Sequence, residues 1–549
     1  MFKGLMMDDY PLTLPHLLER AGKYFSRNDI VTRLPDGTLH RYTYGDYYKR
    51  TRQLMNAMRN KLGVQEGDRV ATLCWNTYRH FELYMAVPSM GAVLHTLNLR
   101  LHPSDLSYIA NHAGDSVVFV DRSLLPLFEQ FKDQVTSLKH VVVLPDDGPT
   151  PEGYLDYEEL IADQPADFEY PNIPENAGAA MCYTSGTTGH PKGVVYSHRS
   201  CVLHSFAVCL PDSMGLNERD RILPVVPMFH ANAWGLPYAG ILVGASLVFP
   251  GSNLQPETLL DLMAAEKVTM AGGVPTIWNG ILALLDQNPG RWDLSSLKRM
   301  AVGGSAAPPA MIDAFQKRHG LQIVHAWGMT ETNPVGTLAR VKRHMDDAPD
   351  EQKLALRSTQ GYAIPFVETR HVNDAGEVLP WDGQTMGELE VRGPWIAASY
   401  YNNDEQKDRF TPDGWFKTGD IVTIDPEGYV TITDRAKDVI KSGGEWISTV
   451  ALENALMAHP AVMEAAVFAA RHPKWDERPL AAVVFRPGMS ATKEELIEHL
   501  APNFAKWWLP DDIIVVNEIP KTSVGKFQKL KLREDYGDYL EKQLAARTQ

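Results

Sequence analysis

Short, apolar, β-branched runs recur along the chain at intervals that leave room for a helix between them. Residues 69–75 (RVATLCW), 116–121 (SVVFVD), 140–145 (HVVVLP) and 246–250 (SLVFP) are apolar on consecutive positions, the pattern of strands buried on both faces. Between them, residues 46–62 (DYYKRTRQLMNAMRNKL) and 256–267 (PETLLDLMAAEK) repeat apolar positions at three- and four-residue spacing and predict amphipathic helices. This alternation predicts α/β layers around largely parallel sheets. The most apolar stretch, GLPYAGILVGASLVFPG (235–251), is broken by glycines and too short to span a bilayer comfortably. It predicts a buried helix followed by a strand, and no transmembrane segment is expected.

Residues 145–154 (PDDGPTPEGY) and 164–178 (QPADFEYPNIPENAG) are Pro-, Gly- and acid-rich connectors around a short helical piece. They predict a subdomain seam near 145–178. After 428–448 (GYVTITDRAKDVIKSGGEWIS) the pattern changes. A helix (449–460), two strands (462–470 and 480–487), a helix (492–505) and a basic loop make a small α+β domain. Charged residues at 434–438 interrupt two strand-like runs. The expected organisation is a large domain over 1–433, a hinge over 434–438 and a small domain over 439–549.

A chain of 549 residues exceeds a single core, in keeping with that division. Its 53 basic and 68 acidic residues leave a net charge of −15, which argues against general nucleic-acid binding but leaves room for a local cationic site. Cys74, Cys182, Cys201 and Cys209 form no CxxC pair, so buried apolar thiols in a reducing cytoplasm are expected. The first 21 residues carry acids where a signal peptide needs an uninterrupted apolar core, so no secretory leader is expected.

The chemistry starts at YTSGTTGHPKG (183–193), between an apolar run that enters it (GAAMCYTS) and one that leaves it (GVVYSH). A Ser/Thr/Gly loop between strands can aim N–H groups and hydroxyls at phosphate oxygens, with Lys192 adding a point charge. The bland alternative is a polar turn. The P-loop pattern does not fit: His190 and Pro191 precede Lys192, and Gly193 stands where Ser or Thr would hold magnesium.

Further motifs follow in order: PMFHANAWG (227–235), GGVPTIW (272–278), VGGSAAP (302–308), HAWGMTET (325–332), GELEVRGP (387–394), GWFKTGD (414–420), DRAKDVIKSGGEWIS (434–448) and PKTSVGKFQK (520–529). This set resembles the adenylate-forming superfamily of acyl-CoA synthetases, peptide-synthetase adenylation domains and beetle luciferases. The likeness covers nearly the whole chain and is strongest to bacterial fatty-acyl-CoA synthetases. It implies an α/β protein whose large N-terminal domain has layered α/β sheets and a small β-barrel-like subdomain, with a small mobile α+β C-terminal domain. It also implies a cytoplasmic homodimer using ATP, Mg²⁺ and coenzyme A.

The resemblance further implies residue roles. Thr184, Ser185, Gly186, Thr187, Thr188 and Gly189 would cradle the β- and γ-phosphates with Lys192, while Thr184 and Glu331 reach Mg²⁺, a hard cation suited to oxygen ligands. Gly304, Ser305 and Ala306 would leave room for a purine on which Trp327 stacks. His325, Ala326, Gly328, Met329, Thr330 and Ile432 would complete that site. Asp420 would accept from the ribose hydroxyls, and Arg435 would donate to ribose or phosphate. Lys526 would bridge the substrate carboxylate and the α-phosphate. Rotation at the hinge, Asp434 and Lys437, would replace it with Ser442, Gly443, Gly444 and Glu445 beside CoA, with Lys441 and Trp446 near the nucleotide or thiol arm. Plain alternatives remain: a helix-start acid for Glu331, a surface turn residue for Asp420, a core tryptophan for Trp327, and one solvated lysine among Lys521, Lys529 and Lys531 for Lys526.

His230 occupies the position where amino-acid-activating relatives carry an aspartate, which disfavours an α-amino substrate; it also joins Thr184, Glu331 and Lys526 among the catalytic candidates. Trp234 resembles an indole that gates an acyl tunnel, or is core. Gly235, Val302, Gly303, Gly328 and Pro334 would line the acyl site, and Gly235, Gly240 and Gly244 would leave a channel open. The leading expectation is a medium- or long-chain fatty acid–CoA ligase. Alternatives are a ligase for a short or sulfur-bearing acid such as 3-(methylthio)propionate, acyl transfer to a separate carrier protein, luciferase-like oxygenation, and non-enzymatic nucleotide sensing.

Overall fold

The computed structural model describes every residue except 1, 3, 8, 185–189, 443–444, 522–526 and 548–549, with backbone alone at 404–406, 441, 445–446 and 545–547. Two large sheets form the body of the chain. In the seven-stranded sheet, Leu155–Asp156, His140–Leu144, Asp115–Asp121, Arg69–Leu73, Val93–Thr96 and Gly178–Thr184 run parallel in that spatial order. Lys192–Ser197 closes the edge antiparallel. In the nine-stranded sheet the parallel centre holds Ile323–Gly328, Arg299–Val302, Met270–Gly273, Arg221–Pro224, Ser246–Phe249 and Asp29–Arg33, with antiparallel strands at both edges.

The apolar runs are strands because both faces of these sheets are covered. Val93–Thr96 is buried throughout, as is Arg69–Leu73 beyond its first residue. The helix Tyr44–Asn60 starts at a capping box in which Thr43 and Asp46 satisfy each other's backbone N–H, and it buries Tyr44, Tyr47, Thr51, Leu54, Met55 and Met58 along one stripe. The glycine-broken stretch folds as the helix Leu236–Val243 and the strand Ser246–Phe249. No helix among the described residues is long and apolar enough to cross a membrane.

The seam expected near 145–178 is not a boundary. The connectors and the short helix Tyr157–Ala162 are present, but the seven-stranded sheet runs across them: Leu155 pairs with Val142, and Ala180 with Leu94. The second connector is held to the body by Asn56, whose amide donates to the carbonyls of Pro165 (3.0 Å) and Asp167 (2.7 Å). Composition identified a surface crossing, whereas strand order decides what it separates.

A four-stranded antiparallel sheet follows: Glu368–Val372, Gly387–Arg392, Phe416–Ile424 and Val430–Arg435. The C-terminal sheet then pairs Val462–His472 with Asp476–Phe485, adds Asp512–Val515 in parallel, and carries the hairpin Ile440–Ser442 and Glu445–Ile447. Helices Thr449–Ala458, Lys493–Leu500, Lys529–Tyr536 and Tyr539–Arg547 accompany it.

Candidate active site

The strands Gly178–Thr184 and Lys192–Ser197 pair antiparallel, with Thr184 opposite Lys192 at the base of the turn. Ser185, Gly186, Thr187, Thr188 and Gly189, the expected phosphate cradle, lie outside the described residues, as do Lys526, Gly443 and Gly444. Hydrogen bonds fix the two strands that flank residues 185–189. Tyr196 Oη donates to the Thr330 carbonyl (2.7 Å), and Tyr401 N–H donates to the Gly193 carbonyl (2.9 Å). Tyr183 and His112 share a 2.7 Å hydrogen bond, and the His190 ring stacks on Tyr108 with centroids 4.4 Å apart.

These bonds bring Lys192 and Glu331, 139 positions apart in sequence, to the same aromatic ring. Tyr400 Oη donates to Glu331 Oε1 (2.6 Å), and Lys192 Nζ lies 5.3 Å from the centre of the Tyr400 ring. Glu331 is buried in the turn Thr330–Thr332, and its carbonyl accepts from Ala397 N–H (2.8 Å). Burial, then the Arg409 guanidinium, pull the Lys192 ammonium below its usual range. Burial and the neighbouring Glu331 raise the Tyr400 phenol, which keeps it a donor. Tyr400 was not singled out by sequence reasoning, because nothing in the spacing of a tyrosine pair after GELEVRGP marks one of them as a partner of Glu331.

A second group forms at the ends of parallel strands. Val302 pairs with His325, which lays the loop 303–308 beside the start of HAWGMTET. His325 is buried, and burial lowers its pKa to about 4, so the neutral ring accepts from Ala307 N–H at Nε2 (3.3 Å). Val302, Gly303 and Ala326 are buried, while Gly304, Ser305, Ala306, Gly328, Met329 and Thr330 keep exposed surface on one side.

Trp327 is 6% exposed. Its indole covers Gly336, where a Cβ would stand only 2.5 Å from the ring, and its N–H donates to Asp420 Oδ2 (2.9 Å). Asp420 is not a surface turn residue. It lies fully buried within the strand Phe416–Ile424, opposite Arg435, whose Nε is 2.8 Å from Oδ1. On the same strand as Arg435, Ile432 N–H donates to Gln360 (2.6 Å).

The third group surrounds Trp234. Ala231, Asn232, Ala233 and Trp234 have φ of 43, 51, 50 and 58°, a left-handed turn of four consecutive non-glycine residues. Such backbone costs roughly 1–2 kcal/mol per residue. It is held by Cys182 Sγ–H donating to Asn232 Oδ1 (2.9 Å) and by Asn232 Nδ2–H donating to Tyr238 Oη (3.1 Å). The turn projects the Trp234 indole against Gly303, where a Cβ would lie 3.4 Å from the ring. His230 opens the turn, half-buried, and its carbonyl accepts from Ala233 N–H (3.1 Å). Pro334 accepts from Met329 N–H (3.2 Å) through its carbonyl.

The open channel expected over three glycines is corrected here. Gly235 abuts the His204 ring, Gly240 the Leu247 side chain and Gly244 the Phe25 ring. Their missing side chains admit neighbours of the core. His204, not foreseen from sequence, accepts from Val335 N–H at Nε2 (3.2 Å).

The strand Val430–Arg435 ends two residues before Lys437, and Ile440 begins the next. Lys441 pairs with Trp446 and Ser442 with Glu445 across the small-domain hairpin. Ser442 Oγ accepts from Arg478 (3.2 Å).

Residues 18–401 match the family model of the AMP-binding enzyme, and residues 451–526 match that of the AMP-binding enzyme C-terminal domain. The chain belongs to the AMP-binding enzyme family. A long-chain-fatty-acid–CoA ligase of Thermus thermophilus is 51% identical over 98% of both chains. A 3-methylmercaptopropionyl-CoA ligase of Ruegeria lacuscaerulensis is 46% identical over 98% of this chain and 99% of its own. Among solved structures, the anthranilate CoA ligase AuaEII in complex with anthranoyl-AMP superposes with a TM-score of 0.85 at 27% identity, covering 96% of this chain and 99% of that one.

For this AMP-binding enzyme, the donor set suits a magnesium ion. Glu331 offers a buried carboxylate whose Oε1 is oriented by Tyr400, and Thr184 ends its strand opposite Lys192. A hard cation held mainly by phosphate oxygens and water needs little more from the protein.

The buried histidines of this enzyme also predict acid sensitivity. Burial lowers His80, His198 and His325 to about 4 and His204 to about 3, against an unfolded value near 6.5. Depressed pKa values stabilise the folded state above about pH 6.5, and that contribution is lost as pH falls toward about 4. Denaturant midpoints measured from neutral pH downward should therefore fall before most carboxylates titrate, and His325→Gln should flatten the slope. A midpoint that stays constant to pH 5 would show that these rings are not held neutral.

Proposed function

We propose that this chain is an ATP-dependent fatty acid–CoA ligase. It joins a carboxylate to ATP, giving acyl-adenylate and pyrophosphate, and then transfers the acyl group to the CoA thiol, releasing AMP. The observation that carries the reading is the loop 302–308. Its Gly303 packs against the Trp234 indole, while its Ala307 is bonded to His325, on the strand of Trp327, whose indole donates to Asp420. An acid held beside Trp234 and a nucleotide held beside Trp327 would meet at this loop.

A carboxylate oxygen is a poor leaving group, and adenylation replaces it with AMP. Charge gathers around the α-phosphate in that step, so groups already in position contribute most. In this reading Lys192 and the segment 184–189 hold the departing pyrophosphate, Asp420 and Arg435 hold the ribose side, and Lys526 bridges carboxylate and α-phosphate. Thr184 and Glu331 would hold Mg²⁺, which neutralises phosphate charge when bound. The domain over 439–549 then turns about Lys437, so that the segment 442–445 replaces Lys526 and admits the thiol. We carry a homodimer and a cytoplasmic location as part of the proposal; light scattering on the purified chain tests the first.

The buried Trp234 favours a second reading, in which a short acid such as 3-(methylthio)propionate is the substrate. Acids graded in chain length, with 3-(methylthio)propionate among them, should be offered with ATP and Mg²⁺, with and without CoA. Acyl-CoA formation with a maximum kcat/KM at a medium or long chain supports the proposal. A maximum at the thioether acid selects the second reading, and AMP release without acyl-CoA overturns both.

Trp234→Ala tests the gate. The expected outcome is a change of severalfold in acid KM that depends on chain length, with less stability lost than the roughly 3–5 kcal/mol typical of a core aromatic. A full core-sized loss with KM altered equally for all acids would make Trp234 packing alone.

A further inference from the structure

The helix Lys529–Tyr536 begins three residues after Lys526. Sequence alone placed Lys529 with Lys531 among solvated lysines, and the structure separates them. Lys531 is half exposed and pairs with Asp535 on its own helix (3.0 Å). Lys529 is buried, with Nζ 2.7 Å from Glu453 Oε1 and bonded to Thr449 Oγ1. Thr449 passes the contact on: its N–H and its hydroxyl both donate to Asp434 Oδ2, at 2.7 and 2.6 Å. Beside this, Ser448 Oγ donates to the Thr433 carbonyl. One turn along the helix, Arg533 Nη1 donates to the Lys437 carbonyl (2.8 Å), and Nη2 lies 2.9 Å from Asp438 Oδ1.

Asp434 lies before the proposed pivot at Lys437, whereas Thr449, Lys529 and Arg533 lie after it. The bonds from Thr449 to Asp434 therefore cross the pivot, as does the bond from Ser448 to Thr433, and Lys529 holds Thr449 from the far side. Residues four apart share one face of a helix, so Lys529 and Arg533 reach the hinge together. The Lys437 carbonyl lies on the downstream side of that residue's ψ bond, so Arg533 fixes the 437–438 peptide to the helix and leaves turning to the backbone bonds before it. The bond can be made in only one orientation of that peptide.

We infer that the helix Lys529–Tyr536 is a clamp on the hinge. Lys529 and Arg533 are positioning residues that favour one arrangement of 434–438 and so set the balance between the two half-reactions. The inference rests on the two-step reading above.

The test uses the full-length chain and its Arg533→Ala, Arg533→Lys, Lys529→Met and Lys529→Met/Glu453→Gln variants. Three quantities are measured: acid-dependent ATP–pyrophosphate exchange, CoA-dependent consumption of preformed acyl-adenylate, and tryptic cleavage at Arg435 and Lys437. Arg533→Ala should shift the ratio of the two half-reactions by about 5-fold or more, the lower range of measured coupling between sites, and should speed cleavage at the hinge. Arg533→Lys should recover part of the shift. Lys529→Met should shift the ratio as well, and the double variant, which leaves no unpaired buried acid at 453, should move it back. If Arg533→Ala does not fold, the lysine variant and the double variant decide. A ratio within about twofold of the parent in every folded variant overturns the clamp, whatever happens to thermal stability. Should the parent catalyse neither half-reaction, the ligase reading fails by itself, and the clamp is judged on cleavage alone: an unchanged rate overturns it.

Discussion

Glu331→Gln is expected to slow acid-dependent ATP–pyrophosphate exchange by about 10²–10³-fold, the usual cost of one preorganised group that stabilises transition-state charge. The substitution keeps the shape and leaves an oxygen able to accept from Tyr400, so the hydrogen bond seen at 2.6 Å can persist. What disappears is a negative charge in a buried turn, next to Lys192 and the base of the phosphate loop. Thermal stability should change little, because glutamine fills the same volume and keeps the Tyr400 bond. The effect should lie in kcat and in magnesium dependence. A loss under tenfold would reduce Glu331 to a hydrogen-bond partner of Tyr400 and would move the metal site elsewhere.

Lys526→Ala should produce a comparable or larger loss, confined to one half of the reaction. A long ammonium that bridges carboxylate and α-phosphate acts only while phosphorus is under attack, so exchange should fall by at least about 10²–10³-fold. Capture of preformed acyl-adenylate by CoA should remain within a few-fold of the parent, since the lysine has then been carried away from the site. Equal losses in both halves would refute domain alternation. The two variants also separate two kinds of contribution. In the proposed scheme Glu331 would stay at the site throughout, whereas Lys526 would be delivered there by the small domain.

The parts of this picture that could be read in one dimension share a property: each depends on neighbours in sequence. Buried strands announced themselves at 69–75, 116–121, 140–145 and 246–250 because a strand covered on both faces needs consecutive apolar residues. The seam at 145–178 failed for the complementary reason. Proline and glycine show that the chain crosses a surface, but the strand Gly178–Thr184 returns to the same sheet, and nothing local encodes that return. The three glycines read as a channel failed likewise, since the side chains that fill the space, Phe25, His204 and Leu247, come from other segments of the chain.

By itself, then, the sequence determined the class of layered α/β fold, the division into a large and a small domain, and the set of motifs able to handle ATP and an acid. Hydrophobic period and turn chemistry are local, and they survive projection onto a string. Only the tertiary structure decided that Tyr400 stands between Lys192 and Glu331, that Asp420 is buried against Trp327 and Arg435, and that Trp234 is held by a left-handed turn against Gly303. It also decided that Lys529, one more lysine in a basic tail, is a buried cation held by Glu453 and Thr449. Burial and charge pairing depend on which distant strands and helices become neighbours, and that is settled by packing of the whole chain.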